Sequence, residues 1–107
     1  IMATKGTISS QIYRNELIQK GIIPIIPSDQ QQNLIMSLIY RDIKNRRLVN
    51  HATYHQALDY FFKFRECDYV ILGCTELSVA QEKAPYPSDN IIDAQYELAK
   101  EVVARYN

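Results

Sequence analysis

The chain has 107 residues, one domain's worth, and 47% of them are hydrophobic, which excludes a disordered segment. Twelve basic side chains balance twelve acidic ones, so nothing in the charge marks a nucleic-acid groove or a membrane surface. The longest apolar run, Ile22–Ile26, is far too short to span a bilayer and is broken by Pro24.

The opening residues Ile1, Met2 and Ala3 read as the tail of a buried strand, and the chain is accordingly expected to be part of a longer protein. Ile1–Lys5 carries neither the charged leader nor the apolar core of a signal peptide. The strand end runs into Thr4, Lys5, Gly6 and Thr7. Apolar positions Ile8, Ile12, Leu17 and Ile18, with Tyr13, then predict a helix from about Ser9 to Lys20. Gly21 stands where a helix-ending glycine belongs.

Gly21–Pro27 is read as a second strand, placed at a sheet edge because Pro24 has no N–H to give a ladder. Ser28 with Gln31 three residues later forms a capping-box pattern. The helix it opens carries Leu34, Ile35, Leu38, Ile39 and Ile43 on one face and ends near the basic stretch Lys44–Arg47. Asn50 caps a third helix running to about Arg65, with Ala52, Ala57, Leu58, Phe61, Phe62 and Phe64 as its packing surface.

Tyr69–Leu72 is a short run rich in β-branched and aromatic residues, as suits a strand covered on both faces. Gly73 lets the chain turn, and Cys74, Thr75 and Glu76 begin a short helix to about Gln81. A loop over Lys83–Asn90 leads to a brief strand at Ile91 and Ile92. Asp93 caps a last amphipathic helix through Leu98, Val102 and Val103 to Tyr106. Strands alternating with helices predict an α/β fold, a mostly parallel sheet flanked by helices in three Rossmann-like layers. The strand-to-helix junctions at Thr4–Thr7, Pro27–Ser28 and Gly73–Thr75 then open at one end of that sheet, where ligands bind in such folds.

Cys74 sits at one of these junctions. A helix N-terminus presents free N–H groups and partial positive charge, so a thiol there is expected to have a lowered pKa and to be the reactive atom of the chain. Cys67 lies before the same strand, roughly 20 Å away at strand rise. That exceeds the ~7 Å limit for a disulfide. Two free thiols fit a reducing, cytoplasmic setting.

Other chemistries are excluded by pattern. His51 and His55 share a helix face but have no third ligand, so no metal site is expected. After Cys74 and five intervening residues stands Ala80 rather than the Arg of a cysteine phosphatase. Gly6 has no partner glycines for a dinucleotide loop, and no P-loop is present.

Taken together, Ala3–Ser10, then Ile71–Leu77 with its Gly-Cys-Thr-Glu-Leu run, then Ile91–Ala94 followed by a helix, resemble the aspartate/glutamate racemase family. The order and spacing are similar to the C-terminal lobe of those enzymes over nearly the whole chain. Related glutamate racemases usually carry His where Glu76 stands, so the resemblance points to the aspartate racemase and broad-specificity branch. It implies cofactor-independent racemisation of an amino acid, aspartate or glutamate, between two lobes that each supply one cysteine.

By that resemblance Cys74 is one of the two bases. Thr75, Thr4, Thr7, Lys44 and Glu76 are the substrate-binding candidates. Lys44 matches a Tyr40-x-x-Ile43-Lys44 pattern, with Asn45 where the family commonly has Gly. The family's first cysteine lies in a Pro-Cys-Asn-Thr-Ala-like motif that this sequence lacks, so the chain alone is expected to be inactive. Residues 1–90 are then the C-terminal lobe, and residues 91–107 a strand and helix that pack toward the missing N-terminal lobe. A homodimer is a candidate assembly.

Three blander readings stay open. A lone Cys after a buried strand is more often a small core residue than a nucleophile, Lys44 a solvated charge, and Thr4 and Thr7 plain helix caps. As alternatives to a racemase, the chain is a non-catalytic α/β module holding a small carboxylate or phosphate at its strand ends, or a sister isomerase or decarboxylase, against which Thr75 and Glu76 argue.

Overall fold

A computed structural model of the chain describes residues 1–45 and 48–106. Arg46 and Arg47, at the basic end predicted for the second helix, lie outside the described residues. The fold is α/β, built on a small parallel sheet. Strand β1, Val70–Leu72, pairs in parallel with β2, Ile91–Asp93, in the register Val70 to Ile91, Ile71 to Ile92 and Leu72 to Asp93. Met2 adds a parallel bridge on the other side of β1. Its N–H donates to the Ile71 carbonyl and its own carbonyl accepts from Gly73 N–H, each at 2.9 Å.

The helices depart from the sequence reading in instructive ways. The first is two pieces, α1 at Lys5–Ser10 and α2 at Ile12–Gln19, and begins earlier than Ser9. Thr4 caps α1, its Oγ1 accepting from Thr7 N–H. Ser10 ends it by turning its hydroxyl back to the Thr7 carbonyl at 2.6 Å, and Gln11 takes a left-handed conformation. Gly21, with φ +74°, closes α2 in a Schellman turn. Gly21 N–H bonds the Ile18 carbonyl and Ile22 N–H the Leu17 carbonyl.

Gly21–Pro27 does not form the expected edge strand. The segment is unladdered, its backbone touching the sheet region where the Ile1 ammonium donates to the Ile25 carbonyl at 2.7 Å. Two prolines remove the donors a ladder needs. Ser28 caps α3, Asp29–Met36, as the capping box predicts. The reciprocal half is absent, because Ser28 N–H donates instead to Tyr60 Oη at 3.2 Å. The helix then continues over Ser37–Asn45 in π-helical form. Asn50 caps α4, His51–Asp59, which likewise continues as a π turn over Tyr60–Phe64. Helix α5 spans Thr75–Lys83 and α6 spans Ala94–Tyr106, with Asp93 accepting from Gln95 and Tyr96 N–H at its start.

The core lies between β1 and the helices α3, α4 and α5, where Leu38, Tyr54, Phe61, Leu72 and Leu77 are fully buried. Tyr54, unforeseen as a core residue, is admitted because its hydroxyl finds Gln81 Oε1 at 2.6 Å. Phe64 and Ala52, expected to pack, are exposed. So are Leu98, Val102 and Val103, which leaves the apolar face of α6 uncovered. No helix among the described residues is long and apolar enough to cross a membrane.

Candidate functional site

Two strand ends lie side by side. Ala3 closes the first extended segment and Gly73 follows β1. They approach so closely that a Cβ on Gly73 would stand 3.1 Å from Ala3 Cβ. The next residues, Thr4 and Cys74, each cap a helix, α1 and α5. The two junctions that the sequence singled out are therefore neighbours. Thr4 Oγ1 donates to Thr7 Oγ1 at 3.1 Å while accepting from Thr7 N–H at 3.2 Å, which leaves the Thr7 hydroxyl hydrogen for another acceptor.

Cys74 itself is 9% exposed. Its carbonyl accepts the first bonds of α5, from Leu77 and Ser78 N–H. Its thiol donates to Glu76 Oε2 at 3.2 Å. The expectation of a lowered thiol pKa is corrected. Burial pushes the Cys74 thiol up, Leu77 N–H works against this, and the Glu76 carboxylate adds to the rise. Withdrawal from water costs the thiolate more than one turn of amide groups returns. Cys67, half-buried beyond the other end of β1, is also a free thiol raised chiefly by burial. With both thiols raised chiefly by burial, this geometry does not set Cys74 apart as the more reactive one.

The remaining candidates divide. Thr75 is exposed at the first position of α5. Glu76 is engaged with the thiol rather than free for a ligand. Lys44 is exposed on the π-helical continuation of α3, its Nζ 5.2 Å from the Tyr40 ring centroid, a cation–π arrangement. His55 Nε2 donates to the Ala84 carbonyl at 2.8 Å, and no cluster of three His, Cys, Asp or Glu side chains fit for a metal occurs among the described residues.

The sequence reading missed one nearby pairing. Ser78 Oγ donates to Asp93 Oδ1 at 2.7 Å and so ties α5 to the end of β2 beside Cys74. A serine one turn after a capping cysteine was its only signal.

The site is thus a cap-position thiol bonded to a carboxylate, at a strand-to-helix junction of an α/β protein, with the Thr4 and Thr7 hydroxyls at the neighbouring junction. The Asp/Glu/hydantoin racemase family matches residues 1–102, and the chain belongs to that family. Its function is accordingly of the racemase type, with an amino acid as the bound molecule. The chain is also similar to an uncharacterised protein encoded in the pnlA 3′ region of Pectobacterium carotovorum subsp. carotovorum. The two are 29% identical over 107 residues, which cover 99% of this chain and 71% of that relative.

Proposed function

We infer that this chain supplies one of the two proton-transfer thiols of a cofactor-independent amino-acid racemase of the aspartate/glutamate type. The observation that carries the reading is the place of Cys74, a cap-position thiol already hydrogen-bonded to a carboxylate and set beside the Thr4–Thr7 pair. Inverting a stereocentre by proton transfer needs one group on each face of the carbon. A thiolate takes the α-hydrogen, breaking C–H and forming S–H. The electron pair spreads into the substrate carboxylate, held by the hydroxyls of Thr7 and Thr75 and by Thr4 once its hydroxyl turns from Thr7 to the ligand, with Lys44 a further candidate. A thiol on the other face then gives up its hydrogen to the carbon.

Cys74, held as a thiol by burial and by Glu76, enters this cycle as the donor for one enantiomer and, left as the thiolate by that step, is the base for the other. The base comes from an N-terminal lobe carrying the first cysteine. Residues 1–90 are the lobe that meets it, and residues 91–107, whose strand β2 also pairs with β1, carry the helix that packs toward it. The uncovered apolar face of α6 supports that assignment. A homodimer of such two-lobed subunits in the cytoplasm completes the reading.

The test is α-deuterium incorporation. In D2O, L- or D-aspartate is expected to gain no label from the isolated chain and to gain it when the N-terminal lobe is present. Sustained incorporation by the isolated chain overturns the two-lobe mechanism. A second reading, a non-catalytic module binding a small carboxylate, is favoured by the burial of Cys74. It predicts aspartate binding with no label incorporated in either case.

A further inference from the structure

Gln32 lies on the inward face of α3, one turn before Ile35, and is 6% exposed. Its Nε2 donates to the Ala3 carbonyl at 2.8 Å. Its Oε1 is buried with no partner among the described residues. A buried polar atom left unpaired costs on the order of 1–3 kcal/mol, so an apolar side chain would fill this place at lower cost.

The backbone shows what the carboxamide provides. Met2 directs both its N–H and its carbonyl toward β1. Its neighbours along an extended chain point the other way, toward the segment around Ile25, where the Ile1 ammonium finds its carbonyl. By Ala3 that segment has turned away through Pro27 and Ser28 into α3. Among the described residues no backbone donor meets the Ala3 carbonyl, and the Gln32 side-chain amide takes that rung. The Ala3 carbonyl and the Thr4 N–H belong to one planar peptide. Fixing that carbonyl fixes the plane from which Thr4 departs, with ψ 161°, to cap α1.

We propose that Gln32 is a positioning residue of the site: by holding the Ala3–Thr4 peptide it aims the Thr4 and Thr7 hydroxyls at the carboxylate of the bound amino acid. This rests on the reading of Thr4 and Thr7 as carboxylate ligands given above, and adds the residue that orients them.

The experiment follows amide hydrogen exchange at Thr7, whose N–H bonds Thr4 Oγ1, against Leu77 in α5 as the internal reference. It also follows the shifts of the Gly6 and Thr7 amides as L-aspartate is added to the 107-residue chain. In Gln32→Met, Thr7 exchange relative to Leu77 is expected to rise about tenfold, with a similar weakening of aspartate binding, as the loss of one net hydrogen bond implies. Gln32→Glu guards against a variant that simply misfolds. Its carboxyl, protonated near pH 4, again donates to the Ala3 carbonyl, so slow exchange returns at low pH and is lost near pH 7, once the known pH dependence of exchange is removed through Leu77. Thr7 exchange unchanged in Gln32→Met, or independent of pH in Gln32→Glu, overturns the role of Gln32 alone. Failure of the unaltered chain to shift Gly6 and Thr7 with aspartate overturns the carboxylate reading itself, and with it the site role given to Gln32.

Discussion

The thiol of Cys74 donates to Oε2 of Glu76 across 3.2 Å within the first turn of α5. This relationship inverts the simplest expectation for a cysteine at a helix N-terminus. The amide groups of the turn favour the thiolate, yet burial and the adjacent carboxylate together favour the thiol. The result is a proton kept on sulfur chiefly by burial, with the carboxylate adding to its hold.

Glu76→Gln is therefore expected to raise the reactivity of Cys74. Removing the negative charge lowers the thiol pKa, and each unit of lowering is tenfold in thiolate below the pKa. Burial, the larger cause, remains. The rate of iodoacetamide modification at pH 8 should rise several-fold at Cys74 and stay constant at Cys67. An unchanged Cys74 rate would mean that the carboxylate does not govern the thiol.

Cys74→Ala, made in a protein that includes the N-terminal lobe, should lower racemisation of aspartate by about 10²–10⁴-fold, the range for removing a positioned acid or base. Aspartate binding should persist, because the hydroxyls of Thr4 and Thr7 are untouched. Loss of binding together with turnover would assign Cys74 a structural role.

The parts of this molecule that local chemistry determines were legible in the sequence. Ser28, Asn50 and Asp93 cap the helices that their residue types and spacing announced. The strand before Gly73 and the brief strand at Ile91 and Ile92 followed from composition and punctuation, though not their pairing with each other. What depends on distant partners was not legible. Gly21–Pro27 has the apolar content of a strand, but whether a ladder forms rests on donors that its prolines lack. The depth of Cys74 is set by residues remote in sequence, and depth decided the direction of its pKa. Gln32 left a trace, a polar residue in register with Ile35 and Ile39 on an otherwise apolar stripe.

The bond between Tyr86 Oη and Asp59 Oδ1, at 2.5 Å, makes the loop after α5 sensitive to pH at both extremes. Tyr86 donates to Asp59 and, with Lys63, holds its carboxyl below the usual range. This stabilisation is present above the unfolded carboxylate pKa of about 3.9 and is lost as pH falls through the lower folded value. Burial, then Asp59, pushes Tyr86 up to about 12. That contribution is complete below the unfolded value of about 10 and is lost as pH rises through 12. Tyr86→Phe should cost about 1 kcal/mol at pH 7, a modest figure because Asp59 is partly exposed. Urea midpoints of the two proteins should converge below pH 3.

Gly73 offers the most direct check that the two strand ends meet as described. A Cβ there would lie 3.1 Å from Ala3 Cβ and 3.2 Å from Tyr13 Cε2. The Tyr13 ring is a side chain that can shift, but Ala3 does not yield freely, since it is fully buried and its methyl is fixed to a backbone held by Gln32. Gly73→Ala should cost about 1–3 kcal/mol by overpacking and displace Ala3, with Thr4, from the Cys74 junction. Gly6→Ala provides the contrast: its nearest neighbour is Thr4 Oγ1 at an ordinary 3.9 Å, and it lies within α1, so alanine should stabilise by up to about 1 kcal/mol. Urea unfolding at constant m-value separates the two outcomes. If Gly73→Ala were neutral, Ala3 and Gly73 would not be in contact, and the hydroxyl pair and the thiol could not serve one substrate.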